Sequence, residues 1–111
     1  KDLIVNGDGK QTRDYVYVKD VVKANMLVLE KDLNGSYNVG TGKESDVNYL
    51  AKKIIELVGR NGKIIHGLAI KGELMRNALN ASKLMHESWS ADYDFDYGLK
   101  ETVEWFLERR D

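Results

Sequence analysis

The chain has 111 residues, of which 32% are charged, and its formal net charge at pH 7 is only −1. This length fits one domain with a modest core, and the interspersed charges exclude the basic surface that binding to nucleic acid or to a membrane requires. Cysteine is absent, so disulfides and thiolate metal sites are excluded. No apolar run is long enough to cross a bilayer, no signal-peptide pattern is present, and the first residue is Lys1 rather than methionine. We therefore expect a cytoplasmic piece of a longer protein.

The first part of the chain predicts two strands, a tight turn and a helix. Leu3 to Val5 is a short apolar strand, and the glycines in Asn6 to Gly9 allow the chain to reverse direction. Arg13 to Val18 is rich in aromatic and β-branched residues, which favour a second strand. Asp20 is then a candidate N-cap for a helix from Val21 to Lys31.

This first helix is apolar on two adjoining faces, which predicts burial against more than one neighbour. The two faces consist of Val22, Met26 and Leu29, and of Val21, Ala24 and Val28. Because 111 residues offer limited cover, we expect the helix either to self-associate or to expose an apolar patch. The run from Asp32 to Gly35 is predicted to end this helix, with Gly35 able to take the left-handed conformation, and Ser36 to Val39 to form a brief strand.

The second part of the chain predicts an amphipathic helix, a short strand and a loop. Asp46 caps an amphipathic helix from Val47 to Val58, and the run from Gly59 to Gly62 ends it. Lys63 to His66 is a short strand and Gly67 to Met75 a loop.

The remaining residues predict two further helices, each with a candidate N-cap. Asn80 is predicted to cap a short helix from Ala81 to Glu87, and Asp94 to cap the terminal helix. The buried stripe of that last helix is predicted to contain Leu99, Val103, Phe106 and Leu107. Alternating strands and helices predict a single α/β domain over residues 1–111, with short strands and three main helices.

Residues 7–25 read GDGKQTRDYVYVKDVVKAN. This stretch resembles the segment GDGxQxRDYVYVxDVVxAN of the extended short-chain dehydrogenase/reductase family, in particular its NAD-dependent nucleotide-sugar epimerases and dehydratases of the UDP-glucose 4-epimerase type. Later segments resemble that family's YNVGTG, SVNELA, PGD/PGE, DxSKA and GLxETVEWF motifs; they are residues 37–42, 47–51, 71–73, 80–83 and 98–106.

The resemblance covers essentially the whole chain but only the C-terminal third of such an enzyme. It implies a small substrate-side α/β domain that lacks the N-terminal Rossmann part, with its glycine-rich cofactor turn and its catalytic Tyr-x-x-x-Lys pair. NAD is therefore implied for the parent enzyme, and we expect no cofactor site and no catalytic residue within this chain.

The resemblance also implies three substrate-binding residues. Arg13 matches an arginine that holds the diphosphate of the substrate, a role for which a planar guanidinium is suited. Gln11 is implied to help position the nucleotide, and Glu73 to accept hydrogen bonds from the ribose hydroxyls. The alternatives for Arg13 are an ion pair with Asp14 or Asp20, or simple exposure to solvent. Asp14 is expected to organise the loop or to pair with a cation rather than to touch ligand.

One position departs from the family pattern. Related sequences carry a second diphosphate-binding arginine where this chain has Ile70. Lys71 could replace that arginine as a point charge, but without its bidentate fit.

Three other patterns are expected to have no function. Tyr15 and Lys19 match Tyr-x-x-x-Lys by letters, but in a strand residues four apart lie about 13 Å from each other, too far for the lysine to activate the tyrosine. The run Gly40 to Lys43 lacks the spacing of a phosphate-binding loop. His66 and His86 do not have the spacing of metal ligands, so we expect no metal.

These observations predict the part of an NAD-dependent epimerase or dehydratase that binds a UDP- or dTDP-sugar, inactive by itself because hydride transfer needs the nicotinamide. The expected partners are a nucleoside-diphosphate sugar and the missing Rossmann domain, with possible self-association. The alternative is a stand-alone or engineered folding unit without ligand, which Ile70 and the absence of proline favour.

Overall fold

The computed structural model describes residues 2–59 and 62–109, which form an α/β fold with short strands and three long helices. This confirms the predicted fold class. The strands are β1 Leu3–Asn6, β2 Thr12–Arg13, β3 Ser45–Asp46 and β4 Ile64–Gly67. The helices are α1 Val18–Lys31, α2 Val47–Val58, α3 Ser82–Met85 and α4 Phe95–Glu108.

The strands form two separate pairs. β1 lies parallel to β4, with Leu3 opposite Ile64, whereas β2 lies antiparallel to β3, with Arg13 opposite Ser45. Helix α2 packs on β1 and also contacts α4. Val5 points inward and is buried, so the β1–β4 pair has one covered face.

Helix α2 begins and ends at the predicted residues. The Asp46 carboxylate accepts a hydrogen bond from the backbone N–H of Tyr49 at 2.7 Å, as an N-cap does. Gly59 has a φ of +74° and its N–H bonds the carbonyl of Ile55, which closes the last turn in the left-handed conformation. The predicted stop also included Arg60 and Asn61, which lie outside the described residues.

The predictions for the start of α1 were wrong in two respects. The strand predicted from Arg13 to Val18 stops at Arg13, because β3 offers β2 a partner for only two residues. The helix already begins at Val18, and Asp20 lies inside its first turn rather than capping it. The Asp20 side chain is fully buried and accepts hydrogen bonds from the backbone N–H groups of Asp92 and Tyr93, at 2.8 and 3.2 Å. Asp20 thus holds the connection before α4 against α1.

Helix α1 ends at Lys31, and the run from Asp32 to Gly35 follows it as predicted. Asp32 takes the left-handed conformation directly after the helix, with a φ of 51°, and Gly35 has a positive φ of 95°. The N–H of Leu33 then reaches back to the carbonyl of Val28 at 3.0 Å, which is the six-residue bond of a Schellman motif. Aspartate tolerates this backbone region better than most side chains do, so Asp32 can serve as the C-cap of the helix.

The core lies between α1, α3 and the connection to α4. It consists of the buried residues Ala24, Ala81, Leu84 and Trp89. The indole N–H of Trp89 donates to the backbone carbonyl of Asp20 at 3.0 Å, which satisfies its only polar atom. Asn80 accepts from the N–H of Ser82 at 2.9 Å at the start of α3, but α3 is shorter than the predicted Ala81 to Glu87.

The strand predicted at Ser36 to Val39 does not form. Within the described ranges, no backbone group of these four residues bonds another backbone group. A strand is defined by the hydrogen bonds to a neighbouring strand, and none lies beside this segment among the described residues.

Two apolar surfaces remain exposed. On α1, Val18, Val22, Met26 and Leu29 are each more than half exposed and follow one another at helical spacing. On α4, Val103 is buried as predicted, but Phe106 is 64% exposed and packs edge-on against Trp105 instead. The prediction that Phe106 belongs to the buried stripe was therefore wrong, because the described residues place no layer on that side of α4.

Candidate functional site

The candidate site lies where the parallel strands β1 and β4 end. The turn after β1 contacts the loop after β4, since the N–H of Gly7 donates to the carbonyl of Gly67 at 3.1 Å. Gly7 has a φ of +72°, and a Cβ built there would lie 3.3 Å from that of Ala69. The positive φ strains any residue with a side chain, and the close contact with Ala69 adds to this preference for glycine. Adjacent carboxyl ends of parallel strands are a common place for ligands.

The fold brings together the three residues predicted to bind substrate. The Arg13 guanidinium forms an ion pair with the Glu73 carboxylate, with 3.2 Å between Nη2 and Oε2. The Gln11 amide donates to the other Glu73 oxygen at 3.3 Å and to the carbonyl of Asn6 at 3.1 Å. Arg13 and Glu73 are 60 residues apart in sequence, so only the tertiary fold makes them neighbours. The ion pair with Glu73 differs from the alternatives considered for Arg13, which were an ion pair with Asp14 or Asp20 or simple exposure to solvent.

The Arg13 side chain is anchored by the backbone as well. Its Nη1 donates to the carbonyls of Thr12 and Leu74, at 2.6 and 2.8 Å. A guanidinium carries five N–H groups, so, among the described residues, Nε and one hydrogen of Nη2 keep no protein acceptor. With its side chain 27% exposed, Arg13 can present these two N–H groups to an anion.

Asp14 organises the loops around Arg13, as predicted. Its carboxylate accepts hydrogen bonds from the N–H and hydroxyl of Thr41, at 3.0 and 2.6 Å, and from the N–H groups of Gly42 and Leu79, at 2.8 and 3.2 Å. Burial raises the pKa of Asp14, but the hydrogen bonds outweigh it and the net pKa is lowered. Gly40 is needed here, because a Cβ at this position would lie 2.8 Å from an Asp14 oxygen.

A second ion pair, between Arg76 and Glu44, lies on the other side of β2. Arg76 donates to both Glu44 oxygens, at 3.0 and 2.6 Å, and the hydroxyl of Thr12 donates to Glu44 as well. These hydrogen bonds, from Arg76 first, lower the pKa of Glu44 to about 2. Neighbouring strand residues point to opposite faces. Thr12, which contacts Glu44, and Arg13, which pairs with Glu73, therefore point to opposite faces of β2, and the two ion pairs lie on opposite sides of the strand.

Sequence reasoning missed this second pair. Glu44 and Arg76 are 32 residues apart, and neither belongs to a motif that would have indicated the contact. Together the two pairs hold the loop after β4, which has no secondary structure of its own, at two points.

Ile70 lies in the same turn as Glu73. Its carbonyl accepts the N–H of Glu73 at 3.2 Å, Gly72 has a φ of +84°, and the Ile70 side chain is 55% exposed. Lys71, between them, is exposed. A side chain at position 70 therefore starts within about 7 Å of the Glu73 backbone, the width of a β-turn.

The remaining patterns fit no catalytic or metal site. Tyr15 precedes α1 and packs on Phe95, whereas Lys19 is the second residue of α1, so no helix carries both. His66 bonds the side chain of Asn48 at 2.9 Å. In the described parts of the chain, no three metal-binding side chains converge, and no helix has the length and apolar character of a membrane span.

Comparisons with known proteins agree with the resemblance. Residues 1–40 match the model of the NAD dependent epimerase/dehydratase family. A putative UDP-glucose 4-epimerase of Methanocaldococcus jannaschii is 41% identical over 102 residues, which is 92% of this chain and 33% of that protein.

Solved structures give the same result. The UDP-glucose 4-epimerase of Thermotoga maritima, solved with UDP-glucose, has a TM-score of 0.91 and 36% identity over 98% of this chain and 36% of its own. The UDP-glucose 4-epimerase of Thermus thermophilus, complexed with NAD, has a TM-score of 0.87 and 32% identity over 96% of this chain and 35% of its own. The chain thus spans about a third of the length of these relatives, and over that third it belongs to the NAD-dependent epimerase/dehydratase family.

Proposed function

We propose that this chain is the nucleotide-sugar-binding part of an NAD-dependent epimerase or dehydratase, with a UDP- or dTDP-sugar as its ligand. The observation that carries the proposal is the convergence of Gln11, Arg13 and Glu73 at the ends of β1 and β4. This cluster offers a guanidinium for phosphate oxygens and a carboxylate for hydroxyl groups, which are the two recognition elements that a nucleoside diphosphate requires.

We assign the following roles from the family resemblance, and the hydrogen bonds of these residues support them. Arg13 binds the diphosphate through Nε and the second Nη2 hydrogen, while its bonds to the carbonyls of Thr12 and Leu74 fix the plane of the guanidinium. Gln11, which is buried and tied to the carbonyl of Asn6, keeps Glu73 in position. Glu73 accepts hydrogen bonds from the ribose.

The chain does not perform hydride transfer by itself in this proposal. The reaction needs a bound nicotinamide and an acid–base tyrosine, and we assign only the substrate side to this chain. Relatives solved with NAD support this cofactor for the complete enzyme, in which a Rossmann domain supplies it.

The exposed surfaces support a missing partner layer. The stripe Val18, Val22, Met26 and Leu29 on α1 lies uncovered, and the segment 36–39 was predicted as a strand but has no backbone partner in the described residues. An apolar helix face and a predicted strand without a backbone partner are features that a sheet-containing domain can cover. We assign the covering of this surface to the cofactor-binding portion of the enzyme. We place the enzyme in the cytoplasm.

The test is titration of the chain with UDP, followed by amide chemical shifts. We expect shifts centred on Gln11, Arg13 and the turn at Glu73, with an affinity that falls roughly ten- to hundredfold in Arg13→Ala, because a charge-assisted hydrogen bond contributes about 1.5–3 kcal/mol. Arg76→Ala is the matched control, since it removes an arginine of an ion pair on the other side of β2. Equal losses in the two variants, or shifts distributed over the whole surface, would contradict the proposed site.

A second candidate, a folding unit without ligand, is favoured by two observations in the same turn. Ile70 stands where the related sequences have one phosphate-binding arginine. Glu73 neutralises the charge of the other phosphate-binding arginine, Arg13. Absence of any saturable UDP shift at millimolar concentration would favour this candidate.

A further inference from the structure

Asn48, the second residue of α2, binds the turn after β1 with both its backbone and its side chain. Its backbone N–H donates to the carbonyl of Gly9 at 3.0 Å, and its side-chain Nδ2 donates to the carbonyl of Asp8 at 2.8 Å. Asp8 and Asn48 are 40 residues apart in the sequence. The start of α2 is thus attached to the turn at two adjacent carbonyls.

The turn and the Asn48 side chain also pack closely against each other. Gly9 has a φ of +73°, and a Cβ built on it would overlap the side-chain amide of Asn48. Position 9 therefore favours glycine for two reasons, the positive φ and the contact with Asn48. The Asn48 amide fills the space beside Gly9, so the turn cannot shift toward α2.

His66 on β4 fixes the orientation of the same amide. Its ring Nε2 lies 2.9 Å from Oδ1 of Asn48. Because Nδ2 of Asn48 is the donor to Asp8, Oδ1 is an acceptor, and His66 donates to it from Nε2. The Asn48 side chain therefore connects the turn after β1 with β4, and these are the two strands whose ends form the candidate site.

The turn links Asn48 to the candidate site. The carbonyl of Asn6, the last residue of β1, accepts a hydrogen bond from the buried Gln11 amide at 3.1 Å. Gln11 in turn donates to Glu73 at 3.3 Å. A displaced turn would move the Asn6 carbonyl away from Gln11, and Gln11 would then no longer hold Glu73 in place.

We propose that Asn48 is a positioning residue for the candidate site, which holds the turn after β1 in the shape that the Gln11 amide requires. It acts through the turn rather than by contact with the ligand. The inference rests on the proposed function and deepens it, because it assigns control of the site geometry to a residue on a separate helix.

The test measures the site with and without ligand in Asn48→Ala. Without ligand, the side-chain NH2 resonances of Gln11 should shift, and their hydrogens should exchange with solvent about tenfold faster, because their acceptor is displaced. With UDP, the affinity should fall about three- to tenfold, the factor that corresponds to one neutral hydrogen bond. A role in stability alone would lower the urea midpoint but leave both quantities unchanged while the variant is folded.

Asn48→Asp is the second variant, in case Asn48→Ala does not fold. It keeps the size of the side chain and an oxygen for His66, but it cannot donate to the carbonyl of Asp8. We expect the same change in the Gln11 resonances. A carboxylate at the start of a helix is favourable, so a loss of helix stability would not explain that result.

Asn38→Ala is the matched control. Asn38 also donates its side-chain amide to a backbone carbonyl distant in sequence, that of Asn80, at 3.3 Å and across 42 residues. That bond lies before α3 and does not involve the turn after β1. Asn38→Ala should therefore leave the Gln11 resonances and the UDP affinity unchanged.

The outcomes separate this inference from the proposed function. Unchanged Gln11 resonances in both Asn48 variants, an unchanged UDP affinity in folded Asn48→Ala, or equal changes in Asn38→Ala would overturn the positioning role. If the Gln11 resonances respond but UDP does not bind the unaltered chain, the proposed function fails, while the hold of Asn48 on Gln11 is confirmed.

Discussion

Replacement of Asp14 by asparagine tests how the site is held together. The carboxylate accepts backbone N–H bonds from Thr41, Gly42 and Leu79, which belong to two separate loops. Asparagine keeps the shape but removes the charge. The best orientation leaves the amide oxygen toward Gly42 and Leu79 and lets the amide nitrogen donate to the hydroxyl of Thr41, which can also accept.

The expected cost follows from these bonds. A hydrogen bond to a charged group contributes about 1.5–3 kcal/mol and a neutral one about 0.5–1.5 kcal/mol, so the charge is worth about 1 kcal/mol for each backbone donor. Asp14 is only partly buried, and solvent reduces each contribution. We therefore expect Asp14→Asn to lower the free energy of unfolding by about 2 kcal/mol at pH 7.

The pH dependence supplies a second criterion. The folded-state pKa of Asp14 is lowered below its ordinary value, so the stabilisation is complete above the unfolded pKa of about 4 and is lost as the pH falls through the folded pKa. The difference in unfolding free energy between the chain and Asp14→Asn should thus be full at pH 7 and should shrink from about pH 5 downward.

Urea unfolding at pH 7, 5 and 3 measures both effects. Asp8→Asn is the control, because Asp8 accepts one exposed bond, from the N–H of Lys10, and should change stability by less than about 0.5 kcal/mol. Equal unfolding midpoints for Asp14→Asn and Asp8→Asn, or a difference that does not depend on pH, would refute the account of Asp14.

Three further predictions concern binding. Ile70→Arg should tighten UDP binding roughly ten- to hundredfold, because position 70 shares a turn with Glu73 and a guanidinium there can reach the diphosphate. Chemical-shift titration measures the affinity, and the same substitution in the Arg13→Ala background is the control. An equal gain for ADP without shifts near Arg13 would contradict the prediction. The chain by itself should not bind NAD, since its sequence has no strand–turn–helix with closely spaced glycines, and saturable calorimetric binding near micromolar concentration would disprove this. Finally, the exposed α1 stripe should cause self-association or binding of an apolar dye, and Leu29→Lys should reduce either; a monomeric sedimentation profile at high concentration, without dye binding, would count against it.

Local signals predicted the parts of the fold that depend on neighbouring residues. The cap at Asp46, the left-handed Gly59 and the apolar period of α2 are all set within a few residues, so the helix was predictable at both ends. The errors occurred where distant residues intervened. Asp20 looked like an N-cap, but N–H groups 72 and 73 residues away bind its carboxylate.

Phe106 and the segment 36–39 are errors of the opposite kind, in which a neighbouring layer is missing rather than a distant residue intervening. Their sequences predict burial and a strand, yet burial and strand pairing both require a neighbouring layer. The described residues supply none at either place, so the local preference remains unsatisfied.

The sequence by itself determined the family, the fold class and the residue types of the site, because the motif from Gly7 to Asn25 and its continuations are contiguous in the chain. Only the tertiary structure decided what those residues do to one another. It paired Arg13 with Glu73 across 60 positions and placed Arg76 and Glu44 on the other side of β2. Such pairings depend on where loops cross in space, and two charged residues far apart in sequence give no local signal that they will meet.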